Sequence, residues 1–228
     1  MWKRYIPLIL CIIYTGFYFL PVSTDVGIWL SILTHAFAFP TIWSDWPKFL
    51  SIATLLTIIA SSLFHILKDG YNLDDEKEFR RFDHGLSVFL MYAVVFKVAY
   101  KQIPYWAVLV LIVVTAIPIA FLTNPRTYLF LAIIAYLIMA VLLFLKFNRD
   151  LLLSFVLLLV ASSSRYWPIL NQNKYHRHSI WHALVFTAVF YAHCGILTVR
   201  KKEEQQEQKS NENIVKMKII AYKDQLKF

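Results

Sequence analysis

Residues 104–146 read PYWAVLVLIVVTAIPIAFLTNPRTYLFLAIIAYLIMAVLLFLK, and the only charged side chains among them are Arg126 and, at the very end, Lys146. The two apolar runs, 104–123 and 127–146, each have the ~20 residues that an α-helix needs to cross about 30 Å of hydrocarbon. Backbone N–H and C=O groups find no water there, so each run must satisfy them internally, and the helix does so. Working outward, the charged residues between Asp83 and Asp150 are Lys97, Lys101, Arg126, Lys146 and Arg149, all at the edges of apolar runs. Further apolar segments lie at 26–43, 47–67, 84–100, 150–167 and 178–199. The segment 26–43 is the weakest of them, since it carries Thr34, His35 and Pro40.

Bulk composition agrees. Hydrophobic residues are 59% of 228, charged residues are 16%, and the mean hydropathy is +0.56. A soluble domain of this length needs a polar, charge-rich surface, and this chain lacks one. The expected fold is all-α, a polytopic membrane protein with a seven-helix transmembrane bundle. Ahead of the bundle, Met1-Trp2-Lys3-Arg4 precedes the apolar run Tyr5–Leu20. That charge-then-apolar order is that of a signal peptide or an extra N-terminal transmembrane helix, and both readings stay open. The expected organisation is therefore 1–25 as that leader or anchor, 26–199 as the transmembrane domain and 200–228 as a polar, basic cytoplasmic tail.

A net charge of +9 raises the question of nucleic acid. The basic residues sit mostly at span edges and in the tail, where they set topology and meet anionic lipid headgroups, so nucleic acid is excluded as a partner. Cys11 and Cys194 lie within apolar stretches and form no disulfide framework. The chain has five glycines and no Gly-rich phosphate loop or Gly-x-Ser-x-Gly elbow.

Loop charge gives an orientation. Lys97, Lys101, Lys146, Arg149, Arg200, Lys201 and Lys202 fall on one set of connections; Asp69, Asp74, Asp75, Glu76 and Glu78 fall on the other, where Lys68, Lys77, Arg80, Arg81 and Arg126 among them dilute the contrast. The positive-inside rule then puts the C-terminus in the cytoplasm and residue 25 outside. In that topology segment 47–67 runs outward, and segments 84–100 and 178–199 run inward. His65, Asp83, His178 and His182, more than a hundred residues apart at the extremes, reach the same depth near the exoplasmic or lumenal face. Ionisable groups inside apolar spans are functional candidates by default. On a helix i and i+4 share a face, so Ser61 stacks with His65 and His178 with His182.

Three imidazoles with an open fourth position form the ligand set of a catalytic zinc, so His65, His178 and His182 are the candidate Zn2+ ligands. Asp83 is positioned to orient or deprotonate a water molecule, and Ser61 to hydrogen-bond that water or a substrate oxyanion. Each residue also has a plainer reading. A single His-x-x-x-His arises often by chance, and a membrane serine most often bonds back to its own helix. The chain lacks the glutamate of the His-Glu-x-x-His motif. His35, His84, His176 and His193 read as structural or interfacial.

The order Ser61-x-x-x-His65 closing one span, Asp83 opening the next and His178-x-x-x-His182 opening the last resembles the CREST superfamily of seven-helix membrane proteins. That superfamily includes alkaline ceramidases, adiponectin receptors and lipases that remodel GPI anchors. His178-Ser179-Ile180-Trp181-His182, with Leu30-Ser31-Ile32-Leu33 and Phe39-Pro40, resembles the branch of myomaker and the post-GPI-attachment phospholipase. The resemblance covers about residues 26–200. It implies zinc on the three histidines, with Ser61 and Asp83 around a water. Relatives often carry a Cys-Asp pair soon after the first histidine; here the run is His65-Ile66-Leu67-Lys68-Asp69-Gly70, so the carboxylate is divided between Asp83, favoured, and Asp69. The GPI-cleaving members carry a large extracellular domain before the helices, and none is expected ahead of residue 26 here, which counts against a GPI substrate. The expected function is zinc-dependent hydrolysis of a membrane lipid ester or amide. The alternative is a non-enzymatic, fusogen-like or receptor-like seven-helix protein with a structural zinc.

Overall fold

The structure is a computed structural model, and it describes residues 5–17, 20, 22–45, 49–70, 86, 89–94, 106, 133–134, 137, 141, 148–164 and 174–225. Apart from short caps these residues are helical, with no strand among them. The main elements are α1 (Ile6–Gly16), α2 (Thr24–Leu33), α3 (Phe39–Asp45), α4 (Phe49–Phe64), α5 (Arg149–Ser164) and α6 (Lys174–Gln225).

Local chemistry explains several boundaries. Ser23 caps α2, its hydroxyl accepting from the Val26 N–H at 3.4 Å, and Asp25 sits in the first turn, where the helix dipole favours an anion. Between α2 and α3 the chain tightens into a 3-10 turn, Thr34–Ala38. Pro40 follows directly; it has no N–H to return to the Ala36 carbonyl, so the regular ladder gives way there. Asn148 starts α5, its Oδ1 accepting from the Asp150 N–H at 2.8 Å. At its C-terminal end α4 widens into a π-helical turn, His65–Gly70, a rare element that recurs at functional sites.

The longest helix, α6, is the spine of the assembly. It has 52 residues, about 78 Å at 1.5 Å per residue. One core joins α5 to α6 through Leu157, Leu158 and Ala161 against Ile180, Leu184 and Tyr191. Small residues let the two backbones approach. The Ser154 hydroxyl donates to the Ala188 carbonyl at 2.7 Å, and a Cβ built on Gly195 would lie 2.7 Å from Leu151 Cγ and 3.0 Å from its backbone N. Small residues with occasional polar bonds are how helices hold together where apolar surroundings supply no hydrophobic drive.

Two more helices lean on the spine. Ser31 on α2 donates to the Tyr175 carbonyl at 3.0 Å. The Ser179 hydroxyl donates to the His176 carbonyl at 2.6 Å, so the Tyr14 hydroxyl on α1 donates to Ser179 Oγ, at 2.7 Å. His176 Nε2 donates to the Phe17 carbonyl at 3.3 Å, and Cys11 is buried against the same core. Within the described residues, α1 is thus seated on the bundle.

Among the described residues, three helices are long and apolar enough to cross a membrane: Asp25–Ser44, Leu50–Leu67 and Tyr175–Ile220. Large apolar side chains such as Trp29, Leu33, Leu56, Ile59 and Leu63 are exposed on their outer faces, the reverse of a water-facing surface. The expected segment 150–167 is present as α5, which has 16 residues. The expected spans 84–100, 104–123 and 127–146 lie largely outside the described residues, so the count of seven does too. In 200–228 the helix simply continues to Gln225, with residues 201–220 almost entirely exposed.

Gly195→Val drives a side chain into Leu151 and its backbone and forces α5 off α6. Overpacking of this kind is worth about 1–3 kcal/mol, so the thermal midpoint of the detergent-purified protein falls by several degrees. Gly16→Ala, where an added Cβ meets nothing within 4 Å, leaves the midpoint unchanged or raises it.

Candidate metal centre

His65 is the first residue of the π-helical turn that ends α4, and His178 and His182 lie one turn apart near the start of α6. The three expected ligands come together. One ligand atom from each lies within 4.8 Å of the others, with His65 and His182 buried and His178 half-buried. The His178 and His182 Nε2 atoms are 2.9 Å apart.

The geometry can be tested against a tetrahedral ion. Zn–N bonds of 2.0–2.1 Å at tetrahedral angles put ligand nitrogens ~3.3 Å apart and ring centroids ~5 Å apart. The observed centroid separations are 4.8 Å for His65–His178, 5.4 Å for His65–His182 and 4.5 Å for His178–His182. All three ring pairs fall near the expected value; the 2.9 Å nitrogen pair has to open by a few tenths of an ångström, and the widest nitrogen separation, up to 4.8 Å, has to close by about 1.5 Å, a movement within the reach of side-chain rotation. The donor set therefore fits one small divalent ion. Aromatic neighbours stiffen it: Trp181 stacks on His178 with rings 13° from parallel and 5.5 Å apart, and Phe64 lies edge-on to His65 at 5.2 Å.

Ser61 is buried at 2% exposure, one turn before His65, and its Oγ has no hydrogen-bond partner among the described residues. On the same helix Thr54 and Thr57 do bond back, to the Leu50 and Ala53 carbonyls at 2.7 and 2.9 Å. The plain fate of a membrane hydroxyl is thus taken by both threonines and not by Ser61. Asp83 and His84 lie outside the described residues. Asp69 is in the π-helical turn, its side chain likewise undescribed.

Of the remaining histidines, His176 is occupied structurally by Phe17, as its sequence position suggests. His193 is buried on α6, eleven residues or about 16 Å beyond His182, too far to join the group. His35 departs from the structural reading. Its ring lies 4.4 Å from that of His182 and 6.4 Å from that of His65. The observed helix starts account for it. Counted from the actual helix starts, Thr24 and Lys174, His35 is eleven residues along and His182 eight, less than one turn different. Counting from the edges of the apolar runs hid it.

No protein-family model, curated protein or solved structure matches the chain, so the centre is read from its own geometry.

Full-length protein purified without chelator is expected to contain about one zinc per chain by mass spectrometry. His65→Ala and His182→Ala reduce that to a small fraction, and His193→Gln does not. Stripping the metal with a chelator removes a ligand that binds only the folded state. At free metal a thousand times the dissociation constant this is worth ~4 kcal/mol, read as a lower thermal midpoint that added Zn2+ restores.

Proposed function

We propose that this protein is an integral membrane, zinc-dependent hydrolase that cleaves an ester or amide bond of a lipid. The observation that carries the reading is the largely buried three-histidine group at the meeting of α4 and α6, with the Ser61 hydroxyl unbonded one turn before His65. Zinc held by three histidines keeps a fourth position for water and lowers that water's pKa to about 7. The chain's own residues supply the rest. Ser61 has a free hydroxyl proton to donate to an oxygen that gains charge as a carbonyl is attacked. Asp83, favoured over Asp69, is the carboxylate that orients the water or takes its proton.

The lipid character of the substrate follows from the surroundings. Leu56, Ile59 and Leu63 on α4 and Trp29 and Leu33 on α2 present apolar surface outward, so an acyl chain meets the bundle without leaving hydrocarbon. Loop charge supports a site on the exoplasmic or lumenal side of the plasma membrane or an endomembrane, with the C-terminus cytoplasmic. The order of the motifs supports membership of the CREST superfamily and its seven-helix bundle.

One observation favours a second reading. The ligands join two helices far apart in sequence, as a structural clamp does. A protein of that kind binds zinc to hold its shape and acts as a membrane remodeller or receptor without turnover.

Lipidomics of cells or proteoliposomes carrying wild type, Ser61→Ala, Asp83→Ala and His182→Ala separates the two. For a hydrolase, Ser61→Ala retains zinc while turnover falls by about 10²–10³-fold, the usual consequence of losing one oxyanion donor. Asp83→Ala also retains zinc and loses turnover, and His182→Ala loses both. Identical lipid profiles from wild type and all variants contradict the hydrolase and leave the clamp.

A further inference from the structure

Outside the ligand set, the His35 ring packs against those of His182 and His65. It sits on the 3-10 turn between α2 and α3 and is buried to 4% exposure. Its Nδ1 lies 2.8 Å from the Ile32 carbonyl oxygen. A carbonyl only accepts, so Nδ1 carries the ring proton and Nε2 is left with a lone pair. The Ser62 hydroxyl lies 3.5 Å from that same Nδ1 and leaves Nε2 untouched. Nε2 has no hydrogen-bond partner among the described residues. A buried acceptor in that state is unfavourable unless something donates to it.

Magnitudes decide what it can be. Rings sharing one tetrahedral ion have centroids ~5 Å apart. His35 meets that for His182 at 4.4 Å but not for His65 at 6.4 Å. It is therefore too far from His65 to share the ion with all three ligands, yet close enough to reach a small molecule beside it. Its protonation through Nδ1 also makes it an acceptor, and water at a metal is a donor. Phe186 packs on both rings, at 5.6 Å from His35 and 6.0 Å from His182, which keeps the pair together.

We propose that His35 is a fourth functional histidine of this centre, a positioning residue whose Nε2 accepts a hydrogen bond from the water in the position that His65, His178 and His182 leave open. It rests on the metal reading of those three residues and adds the group that makes the open position prefer water over an anion. An anion without a proton cannot donate to Nε2, so displacing the water strands the His35 lone pair.

The test uses full-length protein in detergent, loaded with Co2+ as a coloured substitute for Zn2+, with azide as the anion displacing water. Wild type, His35→Phe, His35→Leu and His35→Gln are compared by Co2+ content, thermal midpoint and visible absorption during azide titration. All four bind about one Co2+. In His35→Phe and His35→Leu, which lack an acceptor, azide binds at least about fivefold more tightly than in wild type, the equivalent of one hydrogen bond of ~1 kcal/mol. His35→Gln, which places an amide oxygen near the same point, returns the azide affinity toward wild type. Two acceptor-free variants of different size keep the comparison available if one fails to fold. Unchanged azide affinity in a folded acceptor-free variant overturns the proposal. Loss of Co2+ from such a variant also overturns it, by making His35 a ligand. A wild type that takes up no Co2+ defeats the metal reading itself, and this is seen before any His35 variant is compared.

Discussion

Imidazole nitrogens in an apolar interior must have partners, and this protein packs four such rings at the place where the end of α4 meets the starts of α6 and the turn after α2. A buried polar group without a partner is destabilising by about 1–3 kcal/mol, so a cluster of this kind persists only where the rings answer one another or a shared ligand does so. The fold is arranged around that requirement. The π-helical turn carries His65 out of the α4 register, the i and i+4 spacing stacks His178 on His182, and the 3-10 turn before Pro40 brings His35 alongside.

The arrangement depends on α6 being held in place along its length. The α5–α6 contact does this below the cluster through Gly195, Ala188 and Ser154, where side chains are small enough for backbones to meet. Above it, Ser31 and Tyr14 bond to the first turns of α6, beside His176 and His178. A ligand set built from the ends of helices is sensitive to small rotations, since one residue is 100° around the helix axis. These polar bonds fix that rotation at the end where the histidines lie.

Much of this was legible in the sequence, for physical reasons that can be named. Apolar runs without charge announce helices because hydrocarbon allows little else, and α2 to α3, α4 and α6 appear where those runs lie. The pairing of His178 with His182 follows from helical periodicity alone. The meeting of His65 with α6 joins residues more than a hundred positions apart, which no local spacing rule brings together. Other features were hidden. The partnership of His35 depends on where α2 and α6 begin, which is set by Ser23 and by residues outside the apolar runs. That Ser61 stays unbonded while Thr54 and Thr57 bond back is a matter of rotamers, which no spacing rule reports. The number of spans and the position of Asp83 belong to stretches beyond the described residues.

Everything proposed for this site requires His65, His178 and His182 to hold one metal ion together. X-ray absorption at the zinc edge of the purified full-length protein tests it most directly. The expected result is about one zinc per chain, three imidazole nitrogens at 2.0–2.1 Å with the outer-shell scattering of rigid rings, and one further light-atom ligand. An absence of zinc after purification and reconstitution, or a site ligated by fewer than three imidazoles, contradicts it.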